Sequence, residues 1–213
     1  MRLWNGWGNE NSDLLMELNS GLRNLLQALV GPATPLGEAT LEQVMAKVPA
    51  SKAPAHPLIS TDPETRVRHA RGQSLPDWLA MHSGDVDSFP DAVAVPENSA
   101  EVRELLCYAR DNGIDVIPYG GGTSVVGHIN PEISPRPILT IDMSAMNKLI
   151  HFDRESQLAT FGAGTAGPEL EALLQKEGYT LGHFPQSWEL STVGGWVASR
   201  SSGQQSLHYG RIE

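Results

Sequence analysis

The spacing of apolar and polar residues changes character near residue 90. Before that point Leu14, Leu15, Leu18, Leu22, Leu25, Leu26 and Leu29 recur at helical intervals, which predicts an amphipathic helix over residues 14–30, stopped by Gly31-Pro32. A shorter helix is predicted over residues 41–47, followed by a Pro- and Ala-rich connector over residues 49–57. Residues 61–89 carry weak periodicity with scattered Arg and His, and a short helix is expected only around residues 78–82. Residues 1–89 therefore read as an N-terminal appendage of helices and loops.

From Asp91 the pattern becomes that of a mixed fold. Ala92-Val93-Ala94-Val95 is a short apolar run ending at a proline, which suits a buried strand. A helix is predicted next, with Ser99 as N-cap, Val102, Leu105, Leu106 and Ala109 on one face and Gly113 as the stop. Residues 114–117 make a further apolar strand, so strand, helix and strand form a βαβ unit with parallel strands. Strands over residues 138–141, 148–152 and 158–161 lie close enough in sequence for an antiparallel meander. A second helix is predicted over residues 168–177, with Pro168 first and Gly178 after its end. Residues 185–213 are rich in Gly, Ser and Thr and show no core pattern of their own. The expected fold class is α+β.

Composition narrows the choice of ligand. The formal net charge of -10 over 213 residues creates a field that repels nucleic acid and anionic membrane surfaces. A phosphorylated small molecule then needs a local site of backbone amides and a nearby Arg. Cys107 is the only cysteine, so neither an intrachain disulfide nor a cysteine metal cluster can form, and a reducing compartment fits. The first 11 residues lack the basic region and apolar run of a signal peptide, and no apolar stretch is long enough to span a membrane. The expected location is cytoplasmic.

Three glycine-rich segments carry the candidate chemistry. Pro118-Tyr119-Gly120-Gly121-Gly122-Thr123-Ser124 follows a predicted strand, where nearly absent side chains allow consecutive N–H groups to converge on a phosphate. It reads as a pyrophosphate cradle, the bland alternative being a flexible turn. Gly162-Ala163-Gly164-Thr165-Ala166-Gly167 is a literal GxGxxG and raises the rival reading of a Rossmann domain binding a nicotinamide cofactor. In that fingerprint the third glycine lies inside the helix, whereas Pro168 suggests a helix that starts after it. The third segment runs Gln186-Ser187-Trp188-Glu189-Leu190-Ser191-Thr192 and, after Val193-Gly194-Gly195-Trp196-Val197-Ala198, continues as Ser199-Arg200-Ser201-Ser202. Arg200 is its one cation, and as a residue type it fits a diphosphate partner and a solvated surface Arg equally well.

The strings PYGGGTS, STVGGW followed by ASRSSG, and the opening RLWNGWG resemble the alkyldihydroxyacetonephosphate synthases and their bacterial relatives, within the FAD-linked oxidases of the vanillyl-alcohol-oxidase fold. The resemblance implies a PCMH-type FAD-binding domain over residues 90–213, a βαβ unit plus antiparallel strands, incomplete and preceded by the appendage. It implies that Pro118, Tyr119, Gly120, Gly121, Gly122, Thr123 and Ser124 wrap the FAD diphosphate. By the same resemblance Gln186, Ser187, Trp188, Glu189, Leu190, Ser191 and Thr192, with Ser199, Arg200, Ser201 and Ser202, line the nucleotide. Gln186 and Trp188 depart from the acidic and aliphatic residues expected there.

Some relatives attach FAD through a His in the glycine loop, and this loop has none, so FAD is expected to be noncovalent. His69, His128, His183 and His208 lack a paired base or metal-ligand spacing and are read as structural; no metal site is expected. By the resemblance, the family's chain continues past the equivalent of Glu213 into the rest of the FAD domain and then a cap domain, and catalytic groups are expected in that portion. The implied reaction is exchange of an acyl for an alkyl group on dihydroxyacetone phosphate, or oxidation of a 2-hydroxy acid or alcohol. The other classes are a nicotinamide enzyme and a noncatalytic fragment. Exposed strand edges are expected to favour a homodimer.

Overall fold

The computed structural model describes residues 2–9, 19–33 and 37–212. Helix α1 spans Ser20–Val30, capped by the Asn19 side chain, which accepts from the Leu22 N–H at 2.8 Å. Gly31 at φ 89° ends it, as expected. The earlier part of that predicted helix, from Leu14 to Leu18, lies outside the described residues. Helix α2 (Leu41–Met45) carries a capping box between Thr40 and Gln43, with Val44 fully buried.

Residues 61–89 hold more order than their weak periodicity predicts. Strand β1 (Ile59–Ser60) precedes α3 (Pro63–Arg68) and α4 (Leu75–Ser83). Both helices begin on local chemistry: Asp62 caps α3 with Pro63 at its start, and Ser74 and Asp77 form a capping box for α4. Val44, Val67, Ala70, Met81, Val86 and Phe89 make a core there, joined by Trp4.

The central sheet has the order β1-β2-β4-β3. Strands β2 (Ala92–Ala94), β3 (Asp115–Tyr119) and β4 (Ile138–Asp142) are parallel, and α5 (Ser99–Asn112) crosses over between β2 and β3. The βαβ unit is therefore present, but its two strands are not neighbours, because β4 inserts between them. All of β4 is buried, and Ala92, Ala94, Leu105, Ala109, Ile114, Leu139 and Ile141 form the core under α5. The α5 cap is Asn98 rather than Ser99; its side chain accepts from the N–H groups of Ala100 and Glu101, both at 3.0 Å.

The expected three-stranded antiparallel meander does not form. Both edges of β4 are occupied by β2 and β3, so its backbone has no ladder left to offer. A 3-10 turn at Met143–Ala145 leads instead to a separate hairpin of β5 (Leu149–Asp153) and β6 (Leu158–Phe161), which pair antiparallel. Helix α6 runs Gly167–Lys176, and α7 (Val193–Ser199) and α8 (Ser206–Tyr209) follow. Gly167 thus opens α6, one residue earlier than Pro168 suggested. Leu170, Leu174 and Trp196 form a third core against Phe152, Phe161 and Tyr179.

Asp91 fastens the early segments to this sheet. Its carboxylate accepts from the N–H of Lys52 at 2.8 Å and of Ile138 at 2.9 Å, while the buried Arg66 guanidinium beside it donates to the carbonyls of Pro90 and Pro49. Strand β1 pairs antiparallel with β2 on the same side. Replacing Asp91 by alanine leaves two amide donors without their acceptor and removes the negative charge beside the buried Arg66, which is expected to destabilise the protein by about 2–4 kcal/mol. Urea unfolding of Asp91→Ala against wild type checks this through the midpoint at constant slope.

Candidate functional site

Strand β3 ends at Tyr119, and the glycine loop begins where its ladder stops. Tyr119 is buried, its ring 4.6 Å from that of His69, and burial pushes its phenol above the ordinary value. Beyond it the three glycines are required by their surroundings. A Cβ on Gly120 would collide with Oγ1 of Thr192, one on Gly121 with the Leu190 carbonyl, and one on Gly122 with the Tyr119 hydroxyl. Gly122 also sits at φ +63°, which favours glycine. The two strings singled out in the sequence, residues 118–124 and 186–192, are therefore packed backbone to backbone.

This packing leaves a row of unused donors. No acceptor among the described residues takes the N–H of Gly120, Gly121, Gly122 or Thr123. Backbone amides at a loop are otherwise paired with protein or water, so four in succession make a concavity suited to an anion. By contrast, residues 187–191 close on themselves, the Ser187 carbonyl accepting from Leu190 and Ser191 at 3.1 and 2.8 Å. The Ser191 hydroxyl accepts from the Trp196 indole at 2.7 Å, and Thr192 caps α7.

Two cavities flank the paired loops. The smaller, about 290 Å³, is lined by Gly120, Gly121, Leu190 and Thr192 and by Asp142, Ser144 and Gly164. The larger, about 1160 Å³, is lined by Thr123 and by Gln186, Ser187, Trp188 and Glu189. Each loop thus faces the small cavity at one end and the large cleft at the other, the geometry of a seat for one elongated ligand with a charged middle. Ser124 turns away: its carbonyl accepts from Gln73 at 2.6 Å and its hydroxyl meets His128 at 3.2 Å.

The last quartet is not gathered into either cavity. Ser199 and Arg200 lie at the far end of α7, where Arg200 adopts the left-handed C-cap conformation and is exposed. Ser201 bonds the buried His183 ring at 2.7 Å, and Ser202 is exposed. The guanidinium that touches the glycine loop belongs to Arg2, which donates to the Gly121 carbonyl. Arg2, Leu3, Trp4, Arg68, His69 and Arg71 build one wall of the small cavity. The wall was not legible in the sequence, since these residues come from two segments without periodicity; only the opening RLWNGWG string and His69, read as structural, stood out. Locally this wall is basic in a chain whose net charge is -10. Arg68 and Arg71 are paired with Glu64 and Asp87. His69 bridges the Thr65 carbonyl at 2.8 Å and Asp142 at 3.0 Å.

The GxGxxG string lacks what a dinucleotide site needs. The N–H groups of Gly162, Gly164, Thr165 and Gly167 are all given to backbone carbonyls, of Lys148, Met146, Gly162 and Ser191. A Cβ on Gly162 or Gly164 would strike the carbonyls of Met146 and Met143, so these glycines allow the chain to press against the 3-10 turn. The preceding β6 is antiparallel to β5, outside the parallel sheet.

Comparison with known proteins points the same way. The profile of a family described as an FAD binding domain matches residues 90–213. An alkyldihydroxyacetonephosphate synthase of Dictyostelium discoideum is 42% identical over 155 residues, 73% of this chain and 25% of that protein. One from Trypanosoma brucei brucei is 38% identical over 157 residues, 73% of this chain and 26% of that protein. A solved alkyldihydroxyacetonephosphate synthase superposes with a TM-score of 0.84 at 31% identity, covering 99% of this chain and 45% of that one. The chain spans about a quarter of the length of the relatives it matches in sequence.

Two outcomes follow. Gly164→Ala is expected to lower stability by about 1–3 kcal/mol through overpacking, with no measurable NADH affinity in either protein; a nicotinamide titration and thermal unfolding read both. Burial holds the His183 imidazole below its ordinary 6.5. The unfolded chain therefore binds the proton more readily, so stability is complete above about 6.5 and is lost as pH falls below it. Melting curves between pH 7.5 and 5.5 should show a decline that His183→Gln reduces.

Proposed function

Because the chain belongs to the FAD-binding-domain family, we propose that the paired loops 118–124 and 186–192 hold the diphosphate and nucleotide of FAD. The row of unpaired N–H groups from Gly120 to Thr123, packed where no Cβ fits, is the observation that carries this reading. Two phosphates bring negative charge that these amides and the basic wall accept, while the large cleft receives the rest of the molecule. Ser199, Arg200, Ser201 and Ser202 lie outside both cavities at the end of α7 and enter this reading through the resemblance alone. Attachment is noncovalent, since the loop offers no His and His128 is engaged with Ser124. Bound FAD supplies an electrophilic, two-electron-accepting ring; this chain's own residues bind and orient it, and Trp188, Trp7 and Phe184 in the large cleft shield it from water.

For the whole protein we propose the activity of the relatives with the higher identity, an exchange at dihydroxyacetone phosphate that installs an alkyl group in place of an acyl group. The groups that bind substrate and move protons belong to sequence those relatives carry beyond this stretch. A cytoplasmic location accords with the lone Cys107. The exposed Ile150 and Leu158 of the β5–β6 hairpin favour self-association into a homodimer.

The full-length protein is expected to purify yellow and to release its flavin into the supernatant on acid precipitation. Gly121→Val, which drives a side chain into the Leu190 carbonyl, is expected to weaken FAD by about a hundredfold or more while far-ultraviolet circular dichroism stays unchanged. A folded variant with wild-type flavin affinity would remove the loop from the site. Turnover of a 2-hydroxy acid without ester exchange on acyl dihydroxyacetone phosphate would replace the proposed activity with an oxidase.

A further inference from the structure

The first residues of the chain touch the cofactor loop, and the proposed function gives the bond between Arg2 and that loop no role. Residues 2–9 close into a small loop of their own: Arg2 and Asn9 form an antiparallel bridge, and the Leu3 N–H donates to the Gly8 carbonyl at 2.9 Å. The loop is fastened to the body at two further points. Trp4 packs on the core of Val44, Val67 and Met81, and the Arg2 carbonyl accepts from Nη1 of Arg68 at 2.8 Å. Glu64 in turn bonds Nε and Nη2 of Arg68, each at 2.8 Å. The backbone of Arg2 is thus held in place before its side chain does anything.

That side chain reaches the Gly121 carbonyl through Nη1. A trans peptide sets its carbonyl and the following N–H on opposite sides of one plane. Holding the Gly121 carbonyl therefore aims the Gly122 N–H, one of the four unpaired donors, away from Arg2. Gly121 and Gly122 have no side chains to lock the plane by themselves, and a glycine peptide rotates more freely than any other. The remaining guanidinium donors of Arg2 have no acceptor among the described residues, and Arg2 lines the small cavity with Gly120 and Gly121.

We propose that Arg2 is a positioning residue of the FAD site: through the Gly121 carbonyl it fixes the direction of the Gly122 amide. This rests on the reading of residues 118–124 as the diphosphate seat. Residues 2–9 then act as a clasp, and the RLWNGWG string is explained as the clasp's sequence: Arg2 for the loop, Trp4 for the anchor and Gly8, at φ +99°, for the turn back.

The test measures FAD and ADP affinities calorimetrically on full-length wild type, Arg2→Met and Arg2→Lys, with ³¹P resonances of bound ADP. Arg2→Met is expected to weaken both ligands by the same factor, about tenfold or more, since both carry the diphosphate. Arg2→Lys recovers part of that loss because it keeps charge and a single donor, and the ³¹P shifts move in both variants. Wild-type affinity in Arg2→Met overturns the proposal, as does a loss for FAD without one for ADP, which would put Arg2 at the ring. Should Arg2→Met fail to fold, Arg2→Lys decides alone: unchanged affinity with unchanged ³¹P shifts overturns the proposal. A wild type that binds neither ligand overturns the underlying FAD reading as well; a wild type that binds both while Arg2→Met matches it overturns the role of Arg2 alone.

Discussion

The close approach of Gly121 to the Leu190 carbonyl is the constraint on which the site rests. Two loops from distant parts of the chain can lie backbone against backbone only where neither projects a Cβ. That contact sets where β3 must end, because Tyr119 is its last residue and its ring fills the space under Gly122. It also sets where α7 must begin, because Thr192, the α7 cap, fills the space under Gly120. Loop and helix are thus indexed to each other. The unpaired amides follow as a consequence, since a loop pressed flat on a neighbour through its Cα atoms has its N–H groups turned elsewhere.

The sheet order serves this contact. With β4 between β2 and β3, the strand that carries the glycine loop lies at the sheet's edge, and its C-terminal end is open to other segments. Ligands of parallel α/β arrangements gather at such C-terminal ends, where strand amides run out of partners. Here the opening is closed on one side by residues 186–192 and on the other by the wall of Arg2, Arg68, His69 and Arg71. The early segments are tied to the sheet by Asp91, Arg66 and strand β1, so that wall is fixed relative to the loop it faces. Arg2, Arg68 and Arg71 meet at this wall through tertiary contacts, although the chain as a whole carries a net charge of -10.

What the sequence determined by itself is local. The strands at Ala92 and Ile138, helix α5 with its stop at Gly113, helix α6 and the glycine loop after β3 were legible, because apolar period, caps and turn glycines are written in neighbouring residues. The family was legible too, in the strings PYGGGTS and STVGGW, and with it the cofactor. Only the tertiary structure decided which strand lies beside which: β4 shows no sign in its sequence that it enters between β2 and β3 and so denies the hairpin β5–β6 a place in the sheet. The same holds for the meaning of the glycines. Gly121 and Gly164 look alike in sequence, yet one leaves free amides at a cavity and the other presses on a turn with its amide spent. The role of Arg2 was hidden for the same reason, since it and Gly121 stand 119 residues apart and their bond exists only because Trp4, Arg68 and the sheet bring them together. Short-range order depends on covalent neighbours, whereas a binding site depends on which surfaces the folded chain brings within hydrogen-bond reach.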